Sequence, residues 1–385
     1  MEQRSIRAVF MRGGTSKAVI FHIKDLPERG KWDPIFLAAI GAPDPNGRHL
    51  DGMGGGVTSL AKVCVVGPPT REGADVDFTF AQLTARGATV SYGGNCGNMS
   101  SAIGPYAIDE GLVPKPSGKQ AVVRIHNTNT NKIVVSHFDM DGDHAAVDGD
   151  LRIDGVAGSG APVKLDFLDP AGAKTGKLLP TGNVEDVLQS PGLGNVRVSL
   201  VDSSQPCVFV SAEAMGMRGN ELPDEIDANP DLVARLLAVR QHGSVAMGLT
   251  PNLEAANAMP GIPLIIAVSG PLQSQTLSGR LLTTEDMDVT ARMLSMGQAH
   301  RAMGLVVGLC QAVACHIPGS LPNRLARVGV AAERIRIGHA SGVLEVGAGM
   351  TRDGAGVRPT HATVYRTARR LFQGEVLVRG RAFTG

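Results

Sequence analysis

Gly93-Gly94-Asn95-Cys96-Gly97-Asn98-Met99-Ser100-Ser101 is the stretch from which this chain is best read. Three glycines surround a single thiol, and a helix is expected over Asn98–Ala107 immediately afterwards. A helix start points unpaired N–H groups and the positive end of its dipole at whatever precedes it. A carboxylate can be held there, and the same field lowers a thiol pKa. Cys96 is therefore a candidate reactive group, with Asn95, Gly97 and Asn98 as candidate ligand contacts. Cys64, Cys207, Cys310 and Cys315 lie in apolar runs and read as inert buried thiols.

Working back toward the N-terminus, DGMGGGVTSLAK (51–62) is a glycine loop that runs into a strand carrying Lys62. A lysine among Leu60, Ala61, Val63 and Cys64 either snorkels to the surface or is desolvated. Desolvation produces a neutral amine that can act as a base near pH 7. MRGGTSK (11–17) is a turn between two β-type runs, Ile6–Phe10 and Ala18–Phe21. It lacks the spacing of a nucleotide phosphate loop. Gly13-Gly14 still forms a small anion nest in which Arg12, Gly14 and Ser16 can meet a carboxylate.

Farther along, Pro170–Gly194 is rich in Pro and Gly and reads as irregular. Beyond it the pattern of the first half recurs weakly. Val196–Val210 is strand, turn, strand, and a helix opens at Asn229-Pro230. The stretch Thr284–Cys315 has helical periodicity and would place His300 and Arg301 on that helix. Ile335–Val346 is strand, Gly/Ser turn, strand, with Ser341 and Gly342 in the turn. The expected architecture is α+β, in two similar domains. The first covers 1–185, completed by a C-terminal strand over 373–385, and the second covers 186–372.

Composition narrows the function. The 385 residues carry 37 Lys+Arg against 36 Asp+Glu, which leaves no electrostatic footprint for nucleic acid or an anionic membrane. Aromatic residues are only 4%, too few for base-stacking modules. No apolar run reaches the ~18 residues of a membrane span. Five cysteines without a C-x-x-C pair, and an N-terminus without a signal-peptide core, suggest a reducing, cytoplasmic setting. The histidines and cysteines lack metal-ligand spacing, and no dinucleotide fingerprint opens a βαβ unit. Neither a metal nor a cofactor is expected.

The order MRGGTSK, DGMGG with a following lysine, DVDFTFAQ (75–82), GGNCGN, HRA (300–302) and GHASG (338–342) resembles the PrpF family over nearly the whole chain. That family includes 2-methylaconitate cis–trans isomerase, 4-oxalomesaconate isomerase and methylitaconate Δ-isomerase. The resemblance implies two diaminopimelate epimerase-like domains, each a strongly curved, mostly antiparallel sheet around a central helix. It also implies an active site in the cleft between them, with no cofactor. The family's catalytic lysine falls on Lys62 and its cysteine on Cys96. The epimerase's second cysteine has no counterpart, and either His339 or Ser341 stands in its place. The implied partner is a small unsaturated di- or tricarboxylate, and a homodimer is allowed. Three positions depart from the family pattern: Leu60-Ala61 for Thr-Ser, Gln205-Pro206 for Asn-Pro, and Ala340 for Pro. Two other readings compete: a racemase or epimerase independent of pyridoxal phosphate, and a non-catalytic accessory to an aconitase-like enzyme.

Overall fold

The computed structural model describes residues 3–190, 194–327, 334–353 and 356–383. Residues 1–2 and 384–385 of the expected first domain, and 191–193 of the expected irregular stretch, lie outside the described residues. By contacts the chain divides into two compact units, Met1–Phe167 with Tyr365–Gly385, and Leu168–Val364. Each is a sheet-dominated α+β assembly.

In the first unit, β1 (Gln3–Gly13) and β2 (Ser16–His22) form the hairpin expected from MRGGTSK. After α1 (Trp32–Ile40), β3 (Lys62–Gly67) returns parallel to β2. β4 (Val76–Leu83) lies antiparallel to β3 and pairs with the short β5 (Val90–Ser91). α2 (Gly97–Asp109) then leads to β6 (Gln120–Asn127), parallel to β4. β7 (Lys132–Asp141) is antiparallel to β6, and β8 (His144–Ala145) and β9 (Val163–Leu168) pair with β7.

Every residue of β3 is buried, so KVCVVG reads as an apolar run rather than an alternation. Its faces still differ. Val63 and Val65 join Ile35 and Phe36 of α1 in one core cluster. Lys62 and Cys64 point to the opposite face, by the two-residue period of a strand. α2 is buried almost throughout, which marks a central helix rather than a surface one. At Gly104 an added Cβ would lie 2.6 Å from Ser136 Oγ, so the helix packs tightly on β7.

The second unit repeats this pairing order. β10 (Asp186–Ser190) pairs with β11 (Gly194–Ser203), which forms a hairpin with β12 (Gln205–Ser211). Helices α3 (Pro223–Asp227), α4 (Pro230–Ala246) and α5 (Leu253–Ala258) precede β13 (Leu264–Ser269), which is parallel to β12. The short pair β14 (Ser274–Gln275) and β15 (Leu281–Leu282) comes before β16 (Val289–Ser295), antiparallel to β13. β17 (Gln298–Ala299), α6 (Leu305–Cys315) and α7 (Leu321–Leu325) lead to β18 (Ile335–His339), parallel to β16. β19 (Gly342–Asp353) and β20 (Gly356–Arg366) follow antiparallel. β21 (Ala368–Arg379) belongs to the first unit, where it pairs with β1. Both halves thus run hairpin, parallel return, antiparallel strand, buried helix, parallel strand, hairpin.

One expectation is corrected. Thr284–Cys315 is not one helix: a 3₁₀ turn (Thr284–Asp286), β16 and β17 occupy its first part, and only Leu305–Cys315 is α-helical. The Val289–Leu294 run is buried on both faces, and periodicity alone does not separate such a strand from a helix. The contact boundaries at 167/168 and 364/365 also differ from the expected 185/186 and 372/373. The irregular segment belongs to the second unit because Asp202 gathers it. One carboxylate oxygen accepts from the Lys174 and Thr175 amides and from the Thr175 hydroxyl.

Candidate functional site

Lys62 opens β3 and is only 7% exposed, so it does not snorkel. Across the ladder it faces Gln82. Its Nζ donates to Gln82 Oε1 at 2.5 Å and lies 5.0 Å from the centre of the Phe80 ring. Gln82 is itself locked. Its Nε2 donates to the carbonyls of Thr58, Ala61 and Leu83 at 3.0, 3.0 and 2.8 Å. With the amide nitrogen so engaged, the amide oxygen is left to face the lysine.

Cys96 is the N-cap of α2, and its side chain makes no capping bond. It is 9% exposed. Cys64, two residues beyond Lys62, connects the two groups electrostatically. Burial pushes the Cys64 thiol well above its usual range, the nearby Cys96 raises it further, and Lys62 opposes the rise. Amine and thiol thus both act on the Cys64 thiol. The loop before Cys96 is clamped by a turn that sequence reasoning passed over. Asn127 Nδ2 donates to Asn95 Oδ1 at 3.1 Å. Asn129 Nδ2 donates to the Phe80 and Tyr92 carbonyls, while its Oδ1 accepts from the Phe80 amide.

The β1–β2 turn reaches the first turn of α2. At Gly13 an added Cβ would lie 2.5 Å from the Asn98 carbonyl oxygen, and at Gly14 (φ +51°) 2.2 Å from Asn98 Oδ1. No side chain fits at either place, which explains the paired glycines. Asn98 Nδ2 donates to Thr15 Oγ1 at 3.2 Å. Arg12 Nη1 donates to the Gly14 and Thr367 carbonyls and to Thr367 Oγ1. Ser16 is buried, and its hydroxyl has no hydrogen-bond partner among the described residues. The first unit therefore brings together Arg12, Gly14, Ser16, Asn95, Gly97 and Asn98 through one turn and one helix start.

The remaining candidates lie in the second unit. His300 and Arg301 sit in the loop between β17 and α6, not on a helix. His300 is exposed and its Nδ1 accepts from the Ala302 amide. Arg301 forms an exposed ion pair with Asp224 at 3.1 Å. Ser341 Oγ donates to the Arg301 carbonyl, which ties the GHASG turn to this loop. His339 is buried, with Nδ1 accepting from the Ser341 amide. Gly342 adopts φ +144°. A surface cavity of about 530 Å³, lined by Leu37, Pro43, Arg48 and Leu377 among others, contains none of the candidate residues.

A family model described as PrpF protein matches residues 3–379. The chain belongs to the PrpF family. This PrpF protein is 40% identical over 380 residues to 3-methylitaconate isomerase of Eubacterium barkeri, covering 98% of each chain. It is 35% identical over 387 residues to 2-methyl-aconitate isomerase of Shewanella oneidensis, covering 98% of this chain and 97% of that one. A crystal structure of methylitaconate-delta-isomerase superposes with a TM-score of 0.92 at 38% identity, covering 100% of this chain and 98% of the other. No helix among the described residues is long and apolar enough to cross a membrane.

Sequence reasoning did not single out Gln82 or Arg366. Gln82 ends the DVDFTFAQ motif, and only strand register puts it opposite Lys62. Arg366 Nε donates to Asn98 Oδ1 at 3.1 Å across 268 residues of sequence, a contact no local spacing could signal.

Proposed function

We propose that the protein is a cofactor-independent isomerase of an unsaturated di- or tricarboxylic acid that works by allylic proton abstraction. What supports the reading is the buried Lys62 amine, fixed by Gln82 beside Cys64 and Cys96, in a PrpF chain whose relatives carry the names of itaconate and aconitate isomerases. Lys62 takes a proton from the carbon next to the C=C. General-base action of this kind contributes roughly 10²–10⁴-fold. The resulting dienolate needs donors where its charge develops, worth about 3 kcal/mol each. The free amides at the start of α2 are suited to this, with the Ser341–Gly342 turn as the second-unit candidate. Return of the proton to the far end of the allyl system moves the double bond. Return to the same carbon after rotation gives cis–trans isomerisation. Cys96 is the second acid–base group or the wall that orients the intermediate, and Cys96→Ser separates these roles. Loss of turnover marks the former and a modest loss the latter.

The epimerase-like reading of the fold, with the reaction in the cleft between two domains, belongs to the same proposal and rests on the motif order. So do a cytoplasmic location and a homodimer, the latter testable by sedimentation. Lys62→Ala is expected to lose at least about 100-fold in kcat while still binding the acid. Near-normal turnover of that variant removes the base assignment.

A further inference from the structure

Arg366 is the last residue of β20 and belongs by its contacts to the first unit. It is 7% exposed, yet no carboxylate among the described residues pairs with it. Burial alone lowers its pKa to about 10, with no charged neighbour contributing. Other buried arginines have partners of their own, although Arg240 Nε and Arg292 Nη2 are left unpaired among the described residues. Arg292 lies in the field of Glu221 and Glu225. Arg240 donates to three backbone carbonyls, those of Ala256, Met259 and Ile262. Arg366 has only Asn98 Oδ1 on Nε and its neighbour's carbonyl, Tyr365 O, on Nη1. Its Nη2 has no acceptor among the described residues. A guanidinium taken out of water without an acid destabilises a fold, so this arrangement calls for a counter-charge from outside.

The setting is built for one. Asn98 holds Nε from the first turn of α2, where the N-cap Cys96 makes no capping bond. The earliest intrahelical amide bond is Ser100 N to Cys96 O, so the Gly97, Asn98 and Met99 amides precede the ladder. Gly14 makes room for the pair. A Cβ there would lie 3.0 Å from Arg366 Cδ and 2.2 Å from Asn98 Oδ1. Arg12, which the sequence nominates for carboxylate binding, has Nη1 taken up by Gly14 and Thr367.

We propose that Arg366 binds one carboxylate of the substrate, together with the unpaired amides of the first turn of α2. The proposal rests on the isomerase reading for the ligand's identity and deepens it, because it explains a demand for an acid with a carboxylate beyond the reacting carbon. The bound carboxylate supplies the missing counter-charge through a charge-assisted hydrogen bond to Nη2.

The test is binding of tricarballylate, a saturated tricarboxylate with no double bond to move, to the full-length protein by titration calorimetry. Arg366→Met is expected to bind about 30-fold more weakly than the unmutated protein, within the range of a lost charge-assisted bond. Its melting temperature without ligand should stay level or rise, since an uncompensated buried charge is gone. A purely structural arginine would show the reverse: a lower melting temperature and unchanged affinity. Tricarballylate should raise the melting temperature of the unmutated protein and not that of Arg366→Met. Arg366→Lys keeps the charge without the fork, and should bind between the two. If Arg366→Met is too unstable to assay, Arg366→Lys decides alone. At least fivefold weaker binding supports the proposal and binding within twofold overturns it. Affinity of Arg366→Met within threefold of the unmutated protein, or no binding of tricarballylate by the latter, also overturns it. Turnover plays no part in this readout. Failure of the isomerase reading would show separately, as no change in any unsaturated acid incubated with the unmutated protein.

Discussion

Cys96 is the N-cap of helix α2 and Gly304 that of helix α6, and neither first turn is closed by an N-cap side-chain hydrogen bond. Both helices are buried along nearly their whole length, and both sit between strands paired in the same order. Their surroundings differ. Around the start of α2 the first unit places buried Lys62, buried Arg366, Asn98 and two serines, with the preceding loop pinned by Asn127 and Asn129. The loop before α6 carries an exposed His300 and an exposed Arg301–Asp224 pair. One helix start is desolvated and charged, the other open. A repeated topology thus supplies two equivalent geometric positions, and it is the first that has buried cationic side chains beside it.

The contrast can be sharpened by substitution. The largest effect is expected at Gln82. Gln82→Leu removes the acceptor that fixes Lys62 and should lower kcat by about 100-fold with little change in KM, since it acts on the base rather than on binding. Gln82→Glu keeps an acceptor but puts a carboxylate beside the amine. An opposite charge favours the protonated lysine, so less neutral base is present at a given pH and the acidic, rising limb of the rate profile moves to higher pH. An unmoved profile would mean that Gln82 does not set the state of Lys62.

Next comes Asn129→Ala, which removes three backbone bonds at once and leaves buried groups unpaired. It should cost about 2–3 kcal/mol in denaturant unfolding. A cost below about 0.5 kcal/mol would show that the loop before Cys96 is held by other means. A smaller effect of opposite sign is expected inside α6. Gln311 is fully buried and both its amide atoms lack a partner among the described residues. Gln311→Met should stabilise by about 1 kcal/mol, and a loss of that size would point to a bound water satisfying the amide. The smallest effect belongs to the open helix start. Arg301→Ala removes an exposed ion pair and should leave the melting temperature within about 2 °C. A large fall would remove the contrast in stability between the two regions.

Much of this arrangement was legible before any coordinates. The glycines of MRGGTSK and GGNCGN demanded close backbone approach, and Gly13 and Gly14 do meet Asn98. Lys62 in an apolar run had either to snorkel or to be desolvated, and it is buried. The α+β class and the weak repeat were also readable, because turn chemistry and strand-like runs are local properties. What escaped depends on distance or on ambiguous period. Gln82 meets Lys62 only through the register of β3 and β4. Arg366 arrives from the far end of the chain. The Val289–Ser295 strand read as helix because burial on both faces erases alternation. The irregular segment before β10 looked like a linker, since nothing local announces that Asp202 will collect its amides.

The proton itself gives the most direct check. The unmutated protein and Lys62→Ala would each be incubated in D₂O with cis-aconitate, trans-aconitate, 2-methylaconitate, 4-oxalomesaconate and methylitaconate, and followed by NMR. Deuterium should enter the allylic carbon of one of these acids with the unmutated protein, at a rate at least about 100-fold above that with Lys62→Ala. Isomerisation proceeding equally fast in both proteins would contradict the assignment of the buried amine as the base.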